Sequence, residues 1–505
     1  KKKPYEIHYI FSLNLNNMSS DNNINSKYSK IYDIDDYPLP TTPIINTNLK
    51  APIPLNHGDF DIELGNLSQQ TNNHYDFDIE NDHISHHKLD NVDNLDYRNQ
   101  SEQINSTNSE DSTASFSNAL MNTLNSILGA GLIAIPLAFQ YVGLTGILII
   151  LPLTVLVMDF TMRLIVKNLI LSQSKTYQQS VEFAMGNLGK LVILVGNGCF
   201  AVGGTISFLI IIGDSLPHVL SFLFPKFSKF FNRSFIILVI SFFVCFPLAL
   251  HRDIGKLGHF STVACLSMAF IVTSVIIKGP LLNKEYRADN LRLNFKQYGF
   301  NFKDIVKGMS IVNFAMICHH NTSMIYQSLK DKSKFKKLIH TSTIISGCVI
   351  FVIGICGFLT FQDKLQSNIL NNFPDNDFLI NISRALFAFN MITTYPLEVF
   401  VLREVIRDLM YFKSTSVIEL DDNYHFGITF GIVLVSSVTA TRIENLGTVL
   451  ELVGSYAGSL MAFILPPIVN MALVPDRSFK GNIKNYMTVG LGAFLIIYST
   501  YELFV

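Results

Sequence analysis

The chain has 505 residues, 49% of them hydrophobic and only 15% charged, where an average soluble chain is about 25% charged. Forty phenylalanines and a mean hydropathy of +0.32 argue against a string of soluble domains. A net charge of −1 gives no field to hold a nucleic acid.

The average hides a division. Residues 1–115 carry 8 Lys and Arg against 18 Asp and Glu in an Asn- and Ser-rich tract, leaving 30 basic and 21 acidic side chains for the rest. The first part is too polar to bury a core and is expected to be a disordered, acidic cytosolic tail. Its basic opening, Lys1-Lys2-Lys3, with Ile10-Phe11 behind it, is not expected to act as a signal peptide, since His8, Asn14, Asn16 and Asn17 interrupt the apolar stretch and no small-residue cleavage site follows. Met18-Ser19-Ser20-Asp21 reads as an initiator, so residues 1–17 are either leader sequence or genuine. The scattered histidines, His57 and His74 among them, read as compositional rather than as a metal site.

From residue 116 onward the pattern is that of a membrane protein. A helix needs about 20 apolar residues to cross the hydrocarbon. Eleven runs qualify: 116–139, 143–171, 190–222, 234–250, 257–278, 304–327, 338–361, 377–402, 425–441, 445–473 and 484–505. No alternating pattern competes, and an open sheet would leave its backbone unpaired in lipid. The fold class is therefore all-α integral membrane with eleven transmembrane helices. Seventeen of the 30 basic residues fall in loops on the side of the acidic tail, five of them from Lys330 to Lys337, which puts the N-terminus in the cytosol and the C-terminus across the membrane. The six cysteines, Cys199 to Cys356, sit inside apolar runs and read as small packing residues.

Two spans differ from the rest. In the first, Asn122, Asn125 and Ser126 lead into Gly129-Ala130-Gly131-Leu132, and Pro136 follows. Glycine holds a helix poorly and proline lacks the amide, so the segment is expected to unwind in mid-membrane. The sixth places Cys318-His319-His320-Asn321-Thr322-Ser323 inside an apolar run. Spans one and six lead two five-span halves, and interrupted helices in matching positions point to a transporter's binding site. Half-helices that end there offer carbonyls to a cation, and those that start there offer amides to a carboxylate. An amino acid carries both groups at one carbon. The expected substrate-binding residues are Ser126, Gly129, Ala130, Gly131, Leu132, His319, His320, Asn321 and Thr322, with Gly131 bordering the gap.

Two patterns are decoys. Gly129-x-Gly131-x-x-Ala134 fits a dinucleotide fingerprint, but no strand precedes it and no acid follows about twenty residues on. Gly427–Gly431 and Gly454–Gly458 fit the small-xxx-small pattern of close helix packing.

Asn125 to Pro136, Cys318 to Thr322, Thr394-Tyr-Pro-Leu-Glu398 and Glu451 to Gly458 together resemble the amino acid/auxin permease family, in particular its fungal vacuolar members and the sodium-coupled neutral amino acid transporters of animals. The resemblance covers about residues 115–505. It implies inverted five-helix repeats with discontinuous spans one and six, and an alternating-access cycle. It also implies that Asn125 and Thr394 match a neutral-oxygen sodium site, whereas vacuolar members are driven by protons. The double histidine marks a subset of the family.

The remaining intramembrane ionisable groups each have two readings. His320 takes up a proton or donates a structural hydrogen bond. Glu398 serves ion coupling, reaches Arg403 or faces the inner water. Glu451 serves coupling or bonds a neighbouring helix. Asp159 is spaced to pair with Arg163, and Asp214 is expected to be solvated. The chain thus reads as a secondary transporter of neutral amino acids in the vacuolar or another internal membrane, coupled to protons or alternatively sodium. No cofactor is expected and no nucleophile–base pair suggests an enzyme. An amino-acid sensor using the same pocket is the rival reading, and the oligomeric state is not encoded.

Overall fold

A computed structural model of the chain describes residues 114–252, 261–288, 299, 304–414, 418–475 and 478–504. The readings placed on residues 1–113 lie outside these. Among the described residues the structure is helical, and the one extended pairing is a single parallel bridge between Ala114 and Leu329.

Span one is split. α1 (Phe116–Ile127) starts on a Ser115 cap, whose hydroxyl accepts from the Asn118 amide at 3.2 Å. A 3-10 turn over Ala130–Ala134 then leads into α2 (Ile135–Val142), with the two halves bent by 46°. Gly143 reverses the chain at φ +80, a conformation that favours glycine, and α3 (Leu144–Ser172) follows. α4 (Tyr177–Leu223) begins well before the apolar run at 190. Thr176 and Gln179 form a reciprocal capping box that starts it early, and Gly186 at φ +63 turns this amphipathic foot into the span. The Tyr177 hydroxyl donates to the Met461 carbonyl at 2.9 Å, so the foot is tied down.

α5 (Arg233–Ala249) contains a π-turn at Ser241–Cys245, and α6 (Ser261–Leu281) comes next. α7 (Ile305–Met316) and α8 (His319–Ser328) are separated by Ile317 and Cys318. α9 (Phe335–Phe361), α10 (Phe378–Met410), α11 (Asp422–Arg442), α12 (Leu446–Leu473) and α13 (Phe479–Phe504) complete the chain. Among the described residues eight helices are long and apolar enough to cross a membrane, or nine when α1 and α2 count as one span.

Helices in lipid have no hydrophobic drive to associate, so close backbone approach and interhelical hydrogen bonds must hold them. α4 runs along α10 and against α12, and its glycines make that possible. A Cβ on Gly203 would stand 2.1 Å from Val453, and one on Gly196 would meet Leu460 and Met461. α12 in turn presses on α7. A Cβ on Gly454 would lie 2.0 Å from the Ser310 carbonyl oxygen, and the buried Asn313 amide donates to the Gly454 carbonyl at 2.6 Å. α12 is a π-helix over Gly454–Ile464 at this crossing. Buried asparagines tie its far end: Asn470 donates to Asn168 at 3.0 Å, and Asn168 to the Pro466 carbonyl at 2.9 Å.

Several sequence expectations need correction. The Gly454–Gly458 pattern is a packing face, but Gly427 and Gly431 have nothing within 4 Å of a Cβ and mark no contact. Asp214 is buried rather than solvated, because Arg233 donates to it at 3.0 Å while also reaching the carbonyls of Ala440 and Ile443. Cys245 and Cys318 are buried, whereas Cys199 and Cys348 are exposed. The Asp159–Arg163 pair forms at 2.7 Å, with His340 2.7 Å from the other carboxylate oxygen.

The two glycine pairs make a direct comparison. Gly454→Ala should cost about 1–3 kcal/mol by overpacking against backbone, while Gly427→Ala and Gly431→Ala should be neutral. Thermal unfolding of the purified protein in detergent would show this.

Candidate functional site

The two helix breaks lie side by side. α1 ends because the Gly129 amide turns back to the Ile127 carbonyl at 2.9 Å instead of continuing the ladder to Asn125. Gly129 then caps the 3-10 turn with φ −96 and ψ −141 and no side-chain bond. In the other broken helix Ile317 is extended, with ψ 120, and Cys318 heads α8, also without a side-chain cap. Each second half therefore starts with backbone amides that no side chain covers. Non-helical backbone at this depth is tolerated only where protein or a cavity surrounds it.

The breaks are joined through a few contacts. A Cβ on Gly131 would lie 2.7 Å from Cα of Ala315, so the glycine lets the turn lie directly on α7. Asn321 donates from its amide to the Ser126 hydroxyl at 3.4 Å, and the Thr322 hydroxyl donates to the Cys318 carbonyl at 2.9 Å. Open space is found at Gly129, where a Cβ would meet nothing within 4 Å. A side chain at Gly129 would thus have room, whereas Gly131 is packed against α7. Ala130, Gly131, Leu132, His319 and Thr322 are buried, while Asn125, Ser126, Gly129, His320 and Asn321 are half-buried.

The two histidines diverge. His319 points to α3, where its Nε2 lies 2.8 Å from the Thr161 hydroxyl. The His320 ring lies 5.0 Å from that of Phe200 on α4, which itself stacks on Phe314 at 5.5 Å. Nδ1 of His320 is buried with no hydrogen-bond partner.

The ion-coupling candidates are spread more widely. The Thr394 hydroxyl donates to the Asn390 carbonyl of its own helix at 2.8 Å, leaving its oxygen lone pairs to accept a cation. Glu398 faces Gly204 of α4 and not Arg403, whose guanidinium donates to the Ala249 carbonyl and the Thr429 hydroxyl, each at 3.0 Å. Glu451 lies in electrostatic reach of Lys307 and Glu502, apart from the breaks. Among the described residues no group of three or more His, Cys, Asp or Glu is placed to hold a metal ion.

Above the second half of the broken span, a cavity of about 600 Å³ opens at the end away from Ala114. Leu137, Gln140 and Tyr141 of α2 line it with Asp304, Asp363 and Glu444 from the loops. The opposite side is pinned: Ala114 donates to the Ser328 carbonyl at 2.9 Å and accepts from the Lys330 amide at 3.0 Å. In the turn that follows, Ser333 and Lys334 hold the Asp331 carboxyl below its ordinary range. Sequence reasoning missed Phe200, Gly204 and Asn313. The signal available for the first two was the density of glycines in one span, Gly196, Gly198, Gly203 and Gly204.

A bundle of apolar helices with two interrupted helices lying against each other has the form of a membrane transporter. The family described as "Transmembrane amino acid transporter protein" matches residues 112–505, and the chain belongs to it. "Vacuolar amino acid transporter 2" of Saccharomyces cerevisiae is 39% identical over 406 residues, 77% of this chain and 83% of its own length. "Putative sodium-coupled neutral amino acid transporter 11" of Rattus norvegicus is 31% identical over 76% of this chain and 84% of its own. Among solved structures, that of MhsT in complex with L-phenylalanine covers 75% of this chain and 97% of its own, with a TM-score of 0.49 at 11% identity.

The glycines separate packing from the gap. Gly131→Ala should destabilise the protein by about 1–3 kcal/mol through its clash with Ala315. Gly129→Val should leave melting nearly unchanged but weaken amino-acid binding about tenfold or more by occupying the open space. Thermal shifts of both variants with a panel of amino acids would check the contrast.

Proposed function

We propose that the protein is a secondary active transporter of neutral L-amino acids, coupled to protons and working by alternating access. The observation that carries this reading is the pair of adjacent helix breaks, with uncapped amides at Ala130 and His319 and open space at Gly129. Amides there suit the substrate carboxylate. The carbonyl ends of α1 and α7, with Ser126 and Asn321 between them, suit its ammonium. The side chains nearest the breaks among the described residues, Ser126, Asn321 and Thr322, are neutral, which favours neutral substrates.

The architecture fits eleven spans. To the eight long helices and the bent α1–α2 pair are added α5, a shorter apolar helix, and the broken α7–α8. α1–α2 and α7–α8 would then lead two inverted five-helix repeats, with α13 as the eleventh span. The cytosolic N-terminus of the topology argument puts the cavity at Tyr141 and Asp304 on the lumenal side and the Ala114–Leu329 bridge on the cytosolic side. Both features suit a state open to the lumen. A vacuolar or related internal membrane is favoured by the vacuolar relative. Sodium coupling through Asn125 and Thr394 is the alternative that the names of the animal relatives support.

The test is reconstitution. Purified protein in liposomes should accumulate labelled neutral amino acids under an imposed pH gradient without sodium, and deletion of residues 1–113 should spare that uptake. Binding without any flux would instead favour a sensor, and flux that needs sodium would replace the proton by that ion.

A further inference from the structure

Among the intramembrane carboxyls, Asp159 and Asp214 are held by arginines, whereas Glu398 is in none of the ion pairs seen among the described residues. It lies on α10 one turn beyond Thr394, on the face packed against α4. A Cβ on Gly204 would lie 3.3 Å from its Cγ, 3.4 Å from its Cδ and 3.5 Å from Oε2, so the missing side chain makes room for the carboxyl. Oε2 is buried and has no hydrogen-bond partner.

The ionisable groups of the neighbouring helices are engaged elsewhere. Asp214 of α4 is held by Arg233 of α5, and Lys278 of α6 by Asp377 at 2.8 Å. His425 of α11 lies 3.0 Å from the Leu250 carbonyl, and Arg403 of α10 itself has turned to Ala249 and Thr429. The ionisable side chain on the adjoining wall is His320, whose ring is tilted against that of Phe200, which precedes Gly204 by one turn of α4.

An intramembrane carboxyl is expensive to keep charged without a counter-ion, and it is retained where ion movement needs it. Glu398 is half-buried overall, with Oε2 inside the packed α4–α10 seam and without a partner there, so that oxygen when ionised would need water or a cation beside it. The neutral acid fits that seam as it stands. Carrying a proton and closing the seam are thus linked events, which is what coupling requires.

We propose that Glu398 is the group that takes up the coupling proton on one side of the membrane and gives it up on the other, within the seam between α4 and α10. One proton adds to a carboxylate oxygen from water on the first side and leaves to water on the second, with no other reactant. This rests on the transporter reading above and names the residue that executes its coupling.

The experiment compares wild type, Glu398→Gln and Glu398→Asp in liposomes, each assayed for pH-driven accumulation and for exchange of labelled against unlabelled amino acid at equal pH. The wild type is expected to do both, and its failure would sink the transporter reading itself. Glu398→Gln should retain exchange within about threefold of wild type and lose accumulation. Glu398→Asp should retain accumulation with a displaced pH midpoint. Accumulation by Glu398→Gln at the wild-type level overturns the assignment. Loss of both activities in both variants overturns it as well, because the carboxyl would then be serving the fold.

Discussion

Every peptide group placed in hydrocarbon must find a partner, and the rest of this structure is arranged around two places where the helical ladder stops supplying one. The breaks at 128–129 and 317–318 are tolerable because they adjoin. Gly131 lets the first turn lie on Ala315, and Asn321 reaches back to Ser126. A single broken helix would expose its ends to lipid, whereas here each break lies against the other.

Holding the breaks together places demands on the surrounding helices, and this bundle relies on glycine at its central crossings. Gly203 meets Val453, Gly454 meets the Ser310 carbonyl, and Gly204 meets Glu398. These contacts bring backbones together with few hydrogen bonds, the Asn313–Gly454 bond being the prominent exception. The asparagine cluster of Asn168 and Asn470, by contrast, fixes α3 to α12 by side-chain bonds. The molecule therefore has both a smooth seam and a pinned one.

Much of this was legible in the sequence, for identifiable reasons. Long apolar runs mark helices because lipid leaves the backbone no alternative, and polar residues beside Gly129 or in Cys318–Thr322 mark breaks because they cost too much elsewhere. What the pattern could not give was direction. Gly129 and Gly131 are alike in sequence, yet one opens onto space and the other presses on Ala315. Asp214 reads as an exposed acid until Arg233, nineteen residues on, is seen to fold back onto it. Gly427–Gly431 has the spacing of a packing face with no helix to pack against. Spacing reports which residues share a face, and only the assembled bundle says what that face meets.

The two ends of the bundle are closed by different chemistry, and the difference follows from what each must do. On the side of the chain's entry, Ala114 is joined to Ser328 and Lys330 through main-chain bonds, which neither pH nor salt screening removes readily. On the other side the cavity at Tyr141 is bordered by Asp304, Asp363 and Glu444. Lys307, one turn into α7, bonds Asp304 at 3.3 Å and lies 4.0 Å from Glu502. Ionic contacts of this kind respond to the composition of the water that reaches them. A bundle so built is held by main-chain bonds at one end and by ionic contacts at the other.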